Sequence, residues 1–116
     1  MRLKKLSLTQ EMARLWVGKH DGAFYLLFDY EFSYLGVDYI IPKAFGWNGS
    51  SCSFTTGTNL EASLIHDYLL RYHRDLGRIL IDSLYYYYCI ENGMMKFRAD
   101  YLYLGISSYA KITGGE

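Results

Sequence analysis

Apolar and polar residues alternate one by one in the first part of the chain and recur every three to four residues in the last part. From Phe28 to Tyr34, the aromatics Phe28, Tyr30, Phe32 and Tyr34 alternate with Asp29, Glu31 and Ser33. A period of two marks a strand with one buried face. The whole run Ala23–Tyr34 is therefore expected as one strand. Ahead of it, Ala13–Val17 reads as a strand, and the pentapeptide GKHDG at 18–22 reads as the turn joining the two. Gly36 breaks the alternation, and Val37–Pro42 reads as a further short strand closed by Pro42, which has no N–H to give to a ladder. Together these predict an antiparallel meander of three to four strands over about 13–42.

The segment 43–57 has no period and is expected as a loop. Its aromatics Phe45, Trp47 and Phe54 point to an ordered loop packed on the domain rather than a disordered one. Beyond it the spacing turns helical. Thr58 and Glu61 match a capping box that would start a helix near Asn59. Ala62, Ile65, Leu69 and Tyr72 then share one face. Gly77 is expected to break that helix. A second runs from about Arg78 to Ile90, stopped by Asn92–Gly93, and a third from Lys96 to Ala110. The fold class that follows is α+β: one domain over 1–116, with strands about 13–42, a loop 43–57 and about three C-terminal helices over 59–110 packed on the meander.

Composition narrows this picture. The chain has 116 residues, enough for a core without a metal or disulfide staple. Half of them are hydrophobic and 18% aromatic, which excludes a disordered chain. The formal net charge is zero. A nucleic-acid partner is therefore not expected, since phosphate binding rests on clustered Lys and Arg. Thirteen tyrosines could stack on bases, but their spacing fits core and half-exposed sheet positions better, and basic neighbours are missing. Cys52 and Cys89 are expected as free buried thiols rather than a required disulfide. Residues 1–22 lack the apolar core of a signal peptide. No stretch is apolar for long enough to span a bilayer.

Chemistry concentrates in the helical part. His66 lies at the border of the first helix's apolar face, and Asp67 is turned from it by about 100°. An adjacent His–Asp pair binds one ion only with help from elsewhere, so the plain reading of His66 is a structural hydrogen bond. Asp82 is the one acid in RILIDSLYYYY. If buried, it needs a partner. Arg78 one turn earlier, or Arg74 across the helix pair, would make it part of an Arg–Asp brace fixing two helices, whereas His66 across the pair would make a couple able to position a metal or a general base. His66, Asp67 and Asp82 are thus the candidate catalytic or metal-binding residues. In WNGSS, Asn48–Gly49 is a turn signal, and Ser51 would act as a nucleophile only beside a base. There is no G-x-S-x-G elbow, Walker lysine, C-x-x-C or H-x-x-x-H pair. No cofactor is expected, and a divalent metal has no ligand motif behind it.

The order YIIPKAFGWNGSS, LIHDYLLR, RILIDSLYYYYCIENGM resembles a family of small bacterial and phage proteins, the domain-of-unknown-function family thirteen-fifty-three. That family's pattern is a strand ending in I-P-x-G-F, a D-G-A-S-x-P loop, an H-D-Y-L-Y helix and an R-x-x-A-D helix. The likeness covers about Tyr39 to Ala110. Pro42 and Phe45 match the strand exit, and Gly49 and Ser51 the loop. His66, Asp67 and Tyr68 match the first helix, and Arg78 and Asp82 the second. Ala44 stands where the family has glycine, Asn48 for the loop aspartate, Ser50 for alanine, Ser53 for proline and Ile81 for alanine. Without the loop carboxylate, a metal site fed by the loop loses support.

The resemblance implies that Asn48, Gly49, Ser51, Tyr68 and Arg78 form a binding or structural cluster with His66, Asp67 and Asp82, and that the chain comes from a phage or prophage. The expected function is an accessory or virion-associated protein working through contact with a phage or host protein, in the host cytoplasm or in the virion, with homo-oligomers compatible. One alternative is a small metal-assisted hydrolase using His66, Asp67 and Asp82. Another is an inhibitor of a host defence system.

Overall fold

The computed structural model describes residues 2–4, 17–20, 23–48 and 59–113. It is α+β, with six short strands followed by three helices among the described residues. The strands are β1 (Arg2–Lys4), β2 (Val17–His20), β3 (Ala23–Leu26), β4 (Asp29–Tyr34), β5 (Val37–Ile41) and β6 (Gly46–Trp47). The helices are α1 (Leu60–Tyr72), α2 (Arg78–Glu91) and α3 (Lys96–Thr113), with a 3₁₀ turn at Arg74–Leu76 between the first two.

The strands do not form one meander. They make two three-stranded sheets, in the orders β1-β4-β5 and β2-β3-β6. The expected single strand Ala23–Tyr34 bends at Leu27–Phe28 and changes sheet. Backbone bonds tie Leu26 to Ala44 and Phe45 on one side of the bend. On the other side, the Lys43 N–H donates to the Asp29 carboxylate at 2.8 Å. Alternation continues through such a bend, so the pattern alone hides it. β1 pairs in parallel with β4, Leu3 facing Tyr30. A parallel pair needs a long crossover, and three residues carry no readable period.

GKHDG also proves to be mainly strand: Gly18, Lys19 and His20 belong to β2, paired with Tyr25, Phe24 and Ala23. Gly18 is a close approach rather than a turn residue, because a Cβ there would fall 2.2 Å from the Tyr25 ring. Of the expected strand Ala13–Val17, only Val17 lies within the described residues. Likewise Phe54, Cys52 and Thr58 lie outside them. The expected loop 43–57 contains β6 in its described part, where Phe45 and Trp47 are buried.

Two cores meet at α1. Leu60, Leu64, Ile65 and Leu69 pack with Tyr30, Phe32, Ile41 and Trp47 of the sheets and with Ile81 and Leu84 of α2. Ala62 faces the second core, formed with Tyr85 and Cys89 of α2 and Ala99, Leu102 and Ile106 of α3. A helix covered by sheets on one flank and helices on the other is buried nearly all round. Hence every residue from Leu60 to His66 is buried, whereas Tyr72, expected on the apolar face, is exposed. Thr58 of the expected capping box lies outside the described residues; Asn59 is the N-cap, without a side-chain cap bond, and the Glu61 carboxylate turns to Asn92.

Four residues with positive φ set the connections. Leu35 and Gly36, at φ 50° and 77°, make the two-residue turn between β4 and β5, both in the left-handed range that a type I′ hairpin needs. Gly77, at φ 93° and ψ 144°, starts α2 in a conformation nearly confined to glycine. Ala44 sits at φ 75°, where a Cβ costs about 1 kcal/mol. This accounts physically for a glycine at that place in the pattern I-P-x-G-F. Ala44→Gly is expected to stabilise the fold by about 1 kcal/mol, and Gly77→Ala to destabilise it by about 1–3 kcal/mol. Urea denaturation of both variants reads these opposite signs; a loss of stability in Ala44→Gly would contradict the strained-turn account.

Candidate functional site

His66 and Asp82 meet across α1 and α2. His66 Nε2 lies 2.7 Å from Asp82 Oδ1, and Arg78 Nε donates to the same oxygen at 2.9 Å. Thus the brace and the couple weighed from the sequence coexist on one carboxylate. Burial is deep: His66 is 7% exposed and Asp82 2%. The Tyr85 ring covers His66 edge-on at 5.5 Å.

Asp67 points elsewhere, as the helical rotation requires. It is half-buried and accepts a hydrogen bond from the backbone N–H of Asn48. Burial pushes its carboxyl above the ordinary range, while His66, Arg71 and the Asn48 amide pull the other way without cancelling the shift. Arg71 Nη2 donates to the Gly46 carbonyl at 2.8 Å, and its guanidinium lies 4.5 Å from the centre of the Phe45 ring. Trp47 Nε1 donates to buried Ser63 Oγ at 3.0 Å, and Ser63 Oγ donates to the Leu60 carbonyl. These bonds hold β6 and Asn48 against α1.

Tyr68 packs among Phe32, Phe45, Tyr72 and His73, with ring centres 5.4–6.4 Å apart. Burial and the neighbouring Tyr72 and Tyr39 push its hydroxyl pKa up. Gly49 and Ser51 lie outside the described residues. The helix-borne residues therefore split into two groups: His66, Arg78 and Asp82 between α1 and α2, and Asn48, Asp67 and Arg71 between α1 and β6. Among the described residues, no three His, Cys, Asp or Glu side chains are grouped to hold a metal ion. Cys89 is a buried free thiol whose pKa burial pushes up to about 12.

The profile of the family described as "Protein of unknown function (DUF1353)" matches residues 40–106. The chain belongs to this family. Neither a curated protein nor a solved structure matches it. The span matched by the DUF1353 profile begins in β5 and ends in α3, so it includes both polar groups and the turn at Ala44 that links them to the sheets.

A second feature of this DUF1353 chain escaped the sequence reading. Between β4 and α2 lies a cleft of about 560 Å³, within the range of small-molecule sites. Tyr30, Phe32 and Tyr34 line one wall, and Leu80, Leu84, Tyr87 and Tyr88 the other. Two carboxylates reach it, Glu61 from α1 and Glu91 from α2. Glu61 is only 4% exposed. Its Oε1 accepts from Asn92 Nδ2 at 3.0 Å. Burial lifts its pKa to about 7, the Asn92 bond lowers it and the Glu91 charge raises it further. The clue in the sequence was an acid between Leu60 and Ala62, one turn before Leu64 and Ile65, in the most apolar stretch of the helix. The capping-box match gave it a different role.

Two measurements check this geometry. Asp82→Ala strands a partly buried arginine and a buried histidine, so it is expected to cost about 3 kcal/mol. A cycle with His66→Ala is expected to show at least about 1 kcal/mol of coupling in urea denaturation, and additive losses would count against a shared brace. Glu61 titrates near 4.5 when unfolded and near 7 when folded. The folded chain thus holds a proton that the unfolded chain has released between those values, and stability falls as pH rises across that window. Glu61→Gln is expected to match wild type near pH 4.5 and exceed it at pH 8 by on the order of 3 kcal/mol. An equal difference at both pH values would refute the titration.

Proposed function

We propose that this protein is a phage- or prophage-encoded accessory protein, acting in the host cytoplasm or in the virion by binding another protein through the outer face of α3. The observation that carries the proposal is an apolar stripe on that helix. Its inner face, Ala99, Leu102 and Ile106, fills the second core. The outer face carries Phe97, Tyr101 and Leu104, 69%, 69% and 64% exposed. Met95, just before the helix, adds to it. Spacing of i, i+4 and i+7 is that of the anchors with which a helix enters an apolar groove of a partner. A helix apolar on both faces is one whose second face lacks its cover. The occupant that fits is thus a protein offering an apolar groove about two turns long.

The His66–Asp82–Arg78 cluster serves this reading as a brace that holds α1 against α2. A hydrolytic role would ask the pair to meet water and substrate, and its burial beneath Tyr85 weighs against that. Likewise Asp67 engages Asn48 rather than joining them.

The test uses a triple variant, Phe97→Ser, Tyr101→Ser and Leu104→Ser, whose exposed positions leave the fold intact. Partners are captured from lysate of the producing bacterium, identified, purified and titrated against both chains. Affinity is expected to fall roughly a hundredfold in the triple variant, with its melting temperature unchanged. Equal affinity would overturn the assignment to α3. Sedimentation that finds a wild-type dimer dissolved by the substitutions would replace the foreign partner with a second copy.

A further inference from the structure

We infer that the cleft between β4 and α2 binds an organic cation, an ammonium group carried on an apolar or aromatic stem, with Glu61 and Glu91 as counter-charges and the tyrosine and phenylalanine rings as walls. The argument starts from the lining. Among the described residues, its ionisable groups are two glutamates and the phenols of Tyr30, Tyr34, Tyr87 and Tyr88, and no Lys, Arg or His lines it. Aromatic faces carry negative potential and attract cations, most strongly where water is excluded. Two carboxylates at the same cleft add charge of the same sign. The two carboxylates and the ring faces therefore select against anions, and the apolar walls select for a ligand with a hydrocarbon body.

Glu61 is the second line of support. A deeply buried carboxylate needs a cation or several donors. Its side-chain donor is the neutral Asn92 amide, and the charge acting on it is repulsive, from Glu91. Among the described residues, then, no cation compensates it. Its pKa of about 7 reflects that deficit. Tyr88, beside it, stays a neutral phenol, pushed up to about 12 by burial first and then by Glu61. A bound ammonium would supply the missing charge and drive the proton off Glu61. The α3 stripe is elsewhere on the molecule, so this inference does not rest on the protein-binding reading.

The experiment titrates the full chain with phenethylammonium, followed by ¹H–¹⁵N chemical shifts. The controls are 2-phenylethanol, its uncharged counterpart, and phenylacetate, its anionic one. Saturable binding of the ammonium at pH 8 is expected, with the largest shifts in β4 and α2. Both controls should bind at least about tenfold more weakly. Glu61 faces Glu91, Tyr87 and Tyr88 of α2 and Tyr30 and Tyr34 of β4 across the cleft. Burial places the ionisation of Glu61 at about 7. Affinity should therefore fall about tenfold per unit as pH drops below 7.

Glu61→Gln should lose at least about tenfold in affinity at pH 8 and flatten the pH profile, and Glu91→Gln should lose affinity while keeping the profile. Nα-acetyl-lysine methylamide forms a further arm: tighter binding than phenethylammonium assigns the cation to a protein side chain, weaker binding to a free amine. The inference is overturned by equal binding of 2-phenylethanol, by preference for phenylacetate, by unchanged affinity in Glu61→Gln, or by no shifts at 50-fold excess over a millimolar dissociation constant.

Discussion

Helix α1 is walled in by two sheets on one flank and two helices on the other, and its first two turns have no face left for water. Three of the residues in those turns are nevertheless polar: Glu61, Ser63 and His66. Each must find its partner inside the protein, because a buried polar group without one costs several kcal/mol. The partners lie on three different parts of the structure. Ser63 meets Trp47 of β6, His66 meets Asp82 in the middle of α2, and Glu61 meets Asn92 at the end of α2. The helix is thus pinned at three points, and each pin fixes the register of the element it reaches.

The three pins are unequal, and the inequality separates scaffold from candidate site. Ser63 and Trp47 are neutral and satisfied, a plain structural bond. Asp82 is buried, but Arg78 and His66 share its oxygen, so its burial is compensated. Among the described residues, Glu61 has an amide, a phenol and a like charge near it, and no cation. Asn92 spends its NH₂ on Glu61 and on the Tyr88 carbonyl, while its Oδ1 is buried without a partner among the described residues. An incompletely satisfied polar group persisting beside an open aromatic cleft is the pattern of a site kept for binding. Hence the conspicuous His–Asp pair is the better-compensated group, and the inconspicuous glutamate the less settled one.

Much of the helical half was legible. The end of α1, both ends of α2 and the start of α3 were readable from Gly77, Asn92–Gly93 and the three-to-four spacing of apolar residues, since these signals are local. The Pro42 strand end was also readable, because a missing N–H acts where it stands. The strand half was less so. The bend at Leu27–Phe28, the parallel place of β1 and the split into two sheets depend on bonds to Ala44, Phe45 and Lys43, far along the chain. Alternation reports only that one face is buried, not which sheet buries it.

For the polar residues the same division holds. By itself the sequence determined the α+β class, membership of the DUF1353 family and the rotation that parts His66 from Asp67, because composition, motif order and helical geometry are properties of the chain. Only the tertiary structure decided that Asp82 would serve His66 and Arg78 together, that Asp67 would turn to Asn48, and that Glu61 would face a cleft instead of capping its helix. Those outcomes rest on which surfaces close over a side chain. Closure removes water, and only then does a carboxylate's nearest cation, or the lack of one, govern its charge.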